Sequence, residues 1–244
     1  MLFCVMGNSG SGKDTLIDLV TANCDKIKRL KLVTDRPRRP NEDDSRYIFA
    51  TKYEFDSLID KDSFVEHREF KVASGEIWRY GTLKSMFLSA IKHKDRITTC
   101  TPKQFTEYYN LLENKEKCMM YPIVLRVSSE KERLLRTLSR IDDNFDSIRE
   151  VCRRFSDDID YLDTSKVQDY YLYNNDSEND LQKAYERVMI IYNRYITNNI
   201  MLDAHKKLIS DPENLGSIYI KEDKWYGRLY SLFTPQWSRW LHGS

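Results

Sequence analysis

Seven residues, Gly7-Asn8-Ser9-Gly10-Ser11-Gly12-Lys13, follow the spacing G-x-x-x-x-G-K. The chemistry this spacing suits is the holding of phosphate. Glycines let backbone N–H groups close around phosphate oxygens. A helix beginning directly after the loop adds its positive dipole end. Lys13 supplies a point charge for the β- and γ-phosphates of ATP. The residue after such a lysine is usually Ser or Thr, whose hydroxyl ligates Mg²⁺. Here it is Asp14, with Thr15 next. A carboxylate is also a good Mg²⁺ ligand. The ATP contacts are therefore expected over Gly7 to Thr15, with Asp14 or Thr15 as the metal contact and Mg²⁺ as the cofactor accompanying ATP.

A second cluster follows in Thr34-Asp35-Arg36-Pro37-Arg38-Arg39-Pro40-Asn41-Glu42. Three arginines within four residues, stiffened by proline, form a fork suited to a phosphate dianion. Downstream, Arg46-Tyr47-Ile48-Phe49 and Arg79-Tyr80-Gly81-Thr82 add phenol and hydroxyl donors. The chain thus offers two separate clusters whose chemistry suits phosphate.

The elements needed to position them are legible around the motifs. Leu2 to Met6 is a continuous apolar run, as in a central parallel strand, and it ends at Gly7. Leu16, Leu19 and Val20 share one face of the helix after the loop. Leu30 to Val33 reads as a second strand, and residues 35–41 as loop. Residues 47–82 form an aromatic-rich insert with short strand-like pieces at Tyr47 to Phe49, Phe64-Val65 and Ile77 to Tyr80. The alternation resumes with strands at Ile97 to Cys100, Tyr121 to Val127 and Tyr170 to Tyr173. Ser129-Glu130-Lys131-Glu132 has the chemistry of a helix start. The pattern predicts an α/β fold with a doubly wound parallel sheet.

The 244 residues suit one large domain, or one domain plus an appendage. The 39 basic and 38 acidic residues leave a net charge of +1. No global field argues for nucleic acid or a membrane as partner. The five cysteines lack ligand-like spacing and read as small core hydrophobes in a reducing cytoplasm.

Taken in order, these motifs resemble the guanylate kinase family. That family runs from the phosphate loop to T-x-R-x-x-R-x-x-E, Tyr-x-Phe, F-x-E and Y-G-T/S. Here these are Gly7 to Lys13, Thr34 to Glu42, Tyr47 to Phe49, Phe64-Val65-Glu66 and Tyr80-Gly81-Thr82. The resemblance spans about residues 2–195. It implies the P-loop kinase fold in residues 1–197, an acceptor-binding insert over 35–82 and a lid over 139–150. It also implies transfer of the ATP γ-phosphoryl to a nucleoside monophosphate such as GMP or dGMP. Arg36, Arg39, Tyr47 and Tyr80 would hold the acceptor phosphate, with Thr82 beside them, and Glu66 would contact the base. Lys13, Arg140 and Arg154 would stabilise charge on the transferring group, and Asn174 would lie near the adenine.

The chain departs from that pattern in three places. Asp14 is the first. Leu32 stands where the family usually has a small hydroxyl residue that reads guanine O6. Thr99 and Thr101 replace the carboxylates of a D-x-D strand. Phosphate machinery is kept while base-reading machinery is altered. Two other readings stay open at this point: a ribose bisphosphate-type kinase of the same fold, and a non-catalytic binding module. Residues 198–244 hold Trp225, Trp237 and Trp240. This aromatic-rich extension is expected either to pack on its own domain or to form a homo-oligomer contact.

Overall fold

The computed structural model describes residues 1–39, 42–141, 144–161, 167 and 171–210. The chain divides into two units, one of Met1–Met189 and one starting at Ile190.

Strand β1 (Leu2–Met6) is buried at every position, as its unbroken apolar sequence requires. It stands at the centre of a five-stranded sheet. The other strands are β2 (Lys28–Arg29), β7 (Arg96–Thr99), β8 (Met120–Arg126) and β9 (Tyr171–Asn174), in the order β2-β7-β1-β8-β9. Every pairing is parallel, with Leu2 opposite both Arg96 and Met120. Parallel neighbours need crossover helices. These are α1 (Lys13–Asn23), α3 (Lys84–Lys92), α4 (Pro102–Leu111), the short α5 (Asn114–Lys117), α6 (Glu130–Leu138) and α7 (Phe145–Tyr161), and α8 (Glu178–Ser210) follows the last strand. Leu2, Cys4 and Met6 pack with Phe87, Phe105 and Tyr108 in the main core. The expected doubly wound α/β architecture is present.

A second sheet, ordered β4-β3-β6-β5, is built from β3 (Leu32–Thr34), β4 (Tyr47–Phe49), β5 (Phe64–Lys71) and β6 (Ile77–Leu83). β3 pairs in parallel with β4 and antiparallel with β6, and β5 and β6 form a hairpin. Its small core is Val33, Phe55 and Phe64. Phe55 comes from α2 (Lys52–Asp60), which opens on a capping box made by Thr51 and Glu54.

Several sequence expectations need correction. Leu30 to Val33 is not one strand. Leu30 N–H still donates to Ile97 O in the main sheet, whereas Leu32 N–H donates to Arg46 O in the second. The chain changes sheets at Lys31, so the second sheet begins before residue 35. The short pieces at Phe64-Val65 and Ile77 to Tyr80 are arms of one longer hairpin; their half-exposed, polar alternation hid its length. Residues 145–150 of the charged stretch 139–150 form the first turns of α7. Cys118 and Cys152 are exposed, so only Cys4 and Cys100 fit the core reading, with Cys24 half-buried.

Ser129 does cap α6, accepting from the Glu132 N–H at 3.2 Å. Of the second unit, the described part is the remainder of α8, which runs unbroken through residue 198. Trp225, Trp237 and Trp240 lie outside the described residues, as do Pro40 and Asn41. Among the described residues no helix is long and apolar enough to cross a membrane.

Candidate active site

A cavity of about 320 Å³ lies in the first unit, and both phosphate-binding motifs open onto it. At the donor end, the loop passes from the buried β1 into α1. Gly12 carries φ 89°, and a Cβ there would run into the side chain of Asn175. Only glycine fits both the left-handed backbone and that close approach. Asn175 Nδ2 donates to Ser11 O at 2.9 Å, tying the loop to the end of β9. Lys13 Nζ donates to Gly7 O at 2.7 Å and to Asn8 O at 2.9 Å. Burial lowers the pKa of this ammonium, while the charges of Asp14 and Asp158 oppose the shift.

Asp14 lines the cavity beside Lys13. Arg29 donates to its Oδ1 at 2.8 Å, and Arg46 stands 3.7 Å from Oδ2. Burial acts to raise the Asp14 carboxyl, but the hydrogen bond and charge of Arg29, with Arg46 and Lys13, hold it below its ordinary value. Thr15 is exposed and does not line the cavity.

A buried ion pair fixes the other side of the loop. Arg133 and Asp158 are 4% and 7% exposed, and Arg133 donates to Asp158 Oδ2 at 2.5 Å. Arg133 also donates to Ser9 O at 2.8 Å and lies 3.9 Å over the Phe155 ring. Asp158 Oδ2 in turn accepts from the Ser9 backbone N–H at 2.9 Å. A carboxylate from α7 therefore occupies one main-chain donor of the phosphate loop.

At the acceptor end, the buried Arg36 is ion-paired with Glu42 and lies 4.9 Å over the Tyr47 ring. Glu42 also accepts from the Arg39 N–H at 3.1 Å, so one carboxylate braces the turn that carries both arginines. Tyr47 and Tyr80 meet at 5.8 Å between ring centroids. Burial raises both phenol pKa values, which keeps the hydroxyls protonated as donors. Arg36, Arg39, Tyr47 and Tyr80 all line the cavity.

Beside this clamp stands a chain of buried polar groups. Thr82 Oγ1 donates to Glu66 Oε1 at 2.9 Å, and Gln104 Nε2 donates to the same oxygen at 2.6 Å. Tyr108 shares a 2.6 Å hydrogen bond with Thr82. Gln104 belongs to the capping box of α4, with Thr101 as the N-cap. Thr101 is thus a helix cap that orients a residue holding Glu66. Glu66 and Thr82 are buried and are not among the residues lining the cavity; Leu32 and Thr99 are.

Helix α7 supplies more charge. Glu150 accepts from Arg153 at 2.7 and 2.9 Å, from Arg154 at 2.9 Å, and from the Ala73 backbone N–H at 3.0 Å. Burial opposes ionisation of this carboxyl, but its arginine and amide partners lower its pKa to about 2. Arg153 and Arg154 line the cavity, whereas Arg140 is exposed in the turn after α6 and does not. Asn174 is likewise exposed, and its neighbour Asn175 is the one that touches the loop.

Sequence reasoning passed over Arg133, Glu150, Arg153, Asp158 and Asn175. The adjacent pair Arg153-Arg154 and the doubled Asn174-Asn175 were the available signals. The acids offered none, because a carboxylate in a charged helix reads as solvated surface until its partners are known.

A parallel sheet with a glycine loop after its central strand, facing an arginine and tyrosine clamp on an inserted sheet, defines a P-loop kinase of small phosphorylated acceptors. No family model matches the chain. It is similar to the guanylate kinase of Bartonella quintana (strain Toulouse), with 31% identity over 176 residues, 72% of this chain and 74% of that protein. It is also similar to the guanylate kinase of Malacoplasma penetrans (strain HF-2), with 25% identity over 195 residues, 77% of this chain and 94% of that one. Among solved structures, the guanylate kinase of Anaplasma phagocytophilum shares the fold at a TM-score of 0.53 and 17% identity, covering 80% of this chain and 85% of that one. The chain belongs to the guanylate kinase family. Neither the ribose bisphosphate-type kinase nor the binding module is favoured by these relatives.

Proposed function

We propose that the protein is a nucleoside monophosphate kinase that transfers the γ-phosphoryl of ATP to GMP. The observation that carries this reading is the single cavity shared by the Lys13 loop and the Arg36, Arg39, Tyr47 and Tyr80 clamp. The relatives named guanylate kinase supply the acceptor.

In this reading an oxygen of the acceptor phosphate attacks the γ-phosphorus of ATP. One P–O bond forms as the bond to the β-phosphate oxygen breaks, and ADP leaves. No protein nucleophile is needed, so catalysis is positioning and charge neutralisation. Arg36 and Arg39 bind and orient the acceptor phosphate, while the neutral phenols of Tyr47 and Tyr80 donate to its oxygens. Lys13 exchanges its bonds with Gly7 and Asn8 for the β- and γ-phosphate oxygens. Arg153 and Arg154 spread positive charge over the transferring group.

Mg²⁺ ordinarily binds through one or two carboxylates plus substrate phosphates and water. Asp14, a cavity carboxylate held ionised beside Lys13, fits that role better than the exposed Thr15. When bound, the ion neutralises charge on the β- and γ-oxygens. The five free thiols, two of them exposed, support a reducing cytoplasmic setting.

The test is ADP release coupled to NADH oxidation, with ATP, Mg²⁺ and a panel of GMP, dGMP, AMP, CMP, UMP and dTMP. Turnover highest with GMP or dGMP is expected. Turnover with none of the panel, or only with a pyrimidine nucleotide, would overturn the assignment.

A further inference from the structure

The base end of the cavity contains an arginine that no motif announced. Arg68 lies two residues after Glu66 on β5, so both side chains share one face of the hairpin. Arg68 lines the cavity and Glu66 does not. Arg68 Nε stands 3.5 Å from Glu66 Oε2. Both atoms are buried and neither makes a hydrogen bond, although Glu66 Oε1 receives two. Thr82 and Gln104 therefore fix the carboxylate, and its free oxygen draws the guanidinium toward the base end. Arg68 lies opposite Tyr80, and its neighbour Phe70 opposite Trp78, across the hairpin. Phe70 and Trp78 also line the cavity, as flat walls for a ring. Trp78 Nε1 is the other buried N–H in this wall without a partner. Leu32 adds no polar atom here.

Resting on the kinase reading above, we propose that Arg68 determines base specificity by donating to the 6-oxo group of a purine monophosphate. Guanidinium and indole N–H groups are donors only. A wall of donors selects a ring edge made of acceptors. The O6 and N7 atoms of a 6-oxopurine form such an edge, and a guanidinium fork matches it in two parallel bonds. Adenine presents an amino donor at position 6 and meets Arg68 donor against donor. Glu66 acts as the positioning residue, holding the fork through its charge.

The experiment compares kcat/KM for GMP, IMP and AMP in the wild type and in Arg68→Met, which keeps the apolar stem. The wild type should prefer IMP to AMP, two nucleotides that both lack the 2-amino group. Arg68→Met should lose about 10- to 100-fold on GMP and IMP. AMP should be unchanged or better, and the KM for ATP should stay within about 2-fold. An unchanged GMP/AMP ratio in the variant would overturn the inference while leaving the kinase reading intact. An equal loss on all three nucleotides would also overturn it, by making Arg68 a phosphate ligand. Should the variant fail to fold, equilibrium binding of IMP and AMP to the wild type decides, since equal affinities sink the proposal. A wild type that neither binds nor turns over GMP removes the kinase reading and this inference together.

Discussion

The two ends of the cavity offer phosphate-binding chemistry of different kinds. The donor end is mostly main chain: a loop of glycines and amides between β1 and α1, with one lysine bound to two carbonyls of its own loop. The acceptor end is mostly side chain. Its arginines and phenols come from residues 36 to 80, on two strands and a turn, braced by Glu42 and by ring contacts. A main-chain site binds the phosphates that every ATP carries. A side-chain site can be rebuilt one residue at a time, so the specificity of a kinase resides there. Of the departures from the family pattern, Leu32 lies on β3 of the acceptor sheet and Thr101 caps the helix whose Gln104 holds Glu66, whereas Asp14 follows the donor loop and Thr99 pairs with Val5 on the strand leading into it.

This contrast can be broken by experiment. Lys13→Ala should lower kcat by about 10³-fold, because a buried charge on the transferring phosphoryl is lost. A kcat within 10-fold of wild type in steady-state assays would remove the donor end from catalysis. Arg39→Ala should raise the acceptor KM by about 10-fold or more while the ATP KM holds. Equal rises in both would mean that the two ends are not separate sites. Asp158→Asn sharpens the donor side. Its carboxylate sits on the Ser9 amide, so removing the charge should lower the ATP KM by about 3-fold. A weaker ATP affinity by calorimetry would instead show that Asp158 supports the bound state.

The smallest effect concerns pH. Glu150 has a folded pKa of about 2 against an ordinary value of 4.5. A depressed carboxyl stabilises the fold fully above about pH 4.5, and that contribution is lost as pH falls toward 2. Urea unfolding between those limits should therefore weaken as acid is added. Glu150→Gln should flatten that slope by at most about 1.4 kcal/mol per pH unit. An unchanged slope in the variant would mean that the ties to Arg153, Arg154 and Ala73 contribute nothing to stability.

How legible each end was follows from the same contrast. The loop is contiguous, its spacing has one common physical use, and β1 and α1 flank it as the apolar pattern requires. The clamp residues could be named because arginine and tyrosine in a polar segment have few other uses. The hairpin that carries Tyr80 was seen only in fragments, since one face of β5 is exposed and polar. Arg68 was invisible, for an arginine in a charged strand reads as surface until a buried carboxylate is found beside it. Arg140 and Asn174 show the converse. Both were chosen by position in a pattern, and both point out to solvent while Arg153 and Asn175 reach the site. A one-residue offset such as that between Asn174 and Asn175 cannot be resolved without the packing that decides which neighbour faces inward.

Thr101, Gln104, Glu66, Thr82 and Tyr108 form one unbroken run of hydrogen bonds from the start of α4 to the second sheet. A change at any one of these five positions therefore reaches the others through shared hydrogen bonds. A carboxylate introduced at residue 101 alone could still cap the helix, but it would add a second negative charge to a network already organised around Glu66.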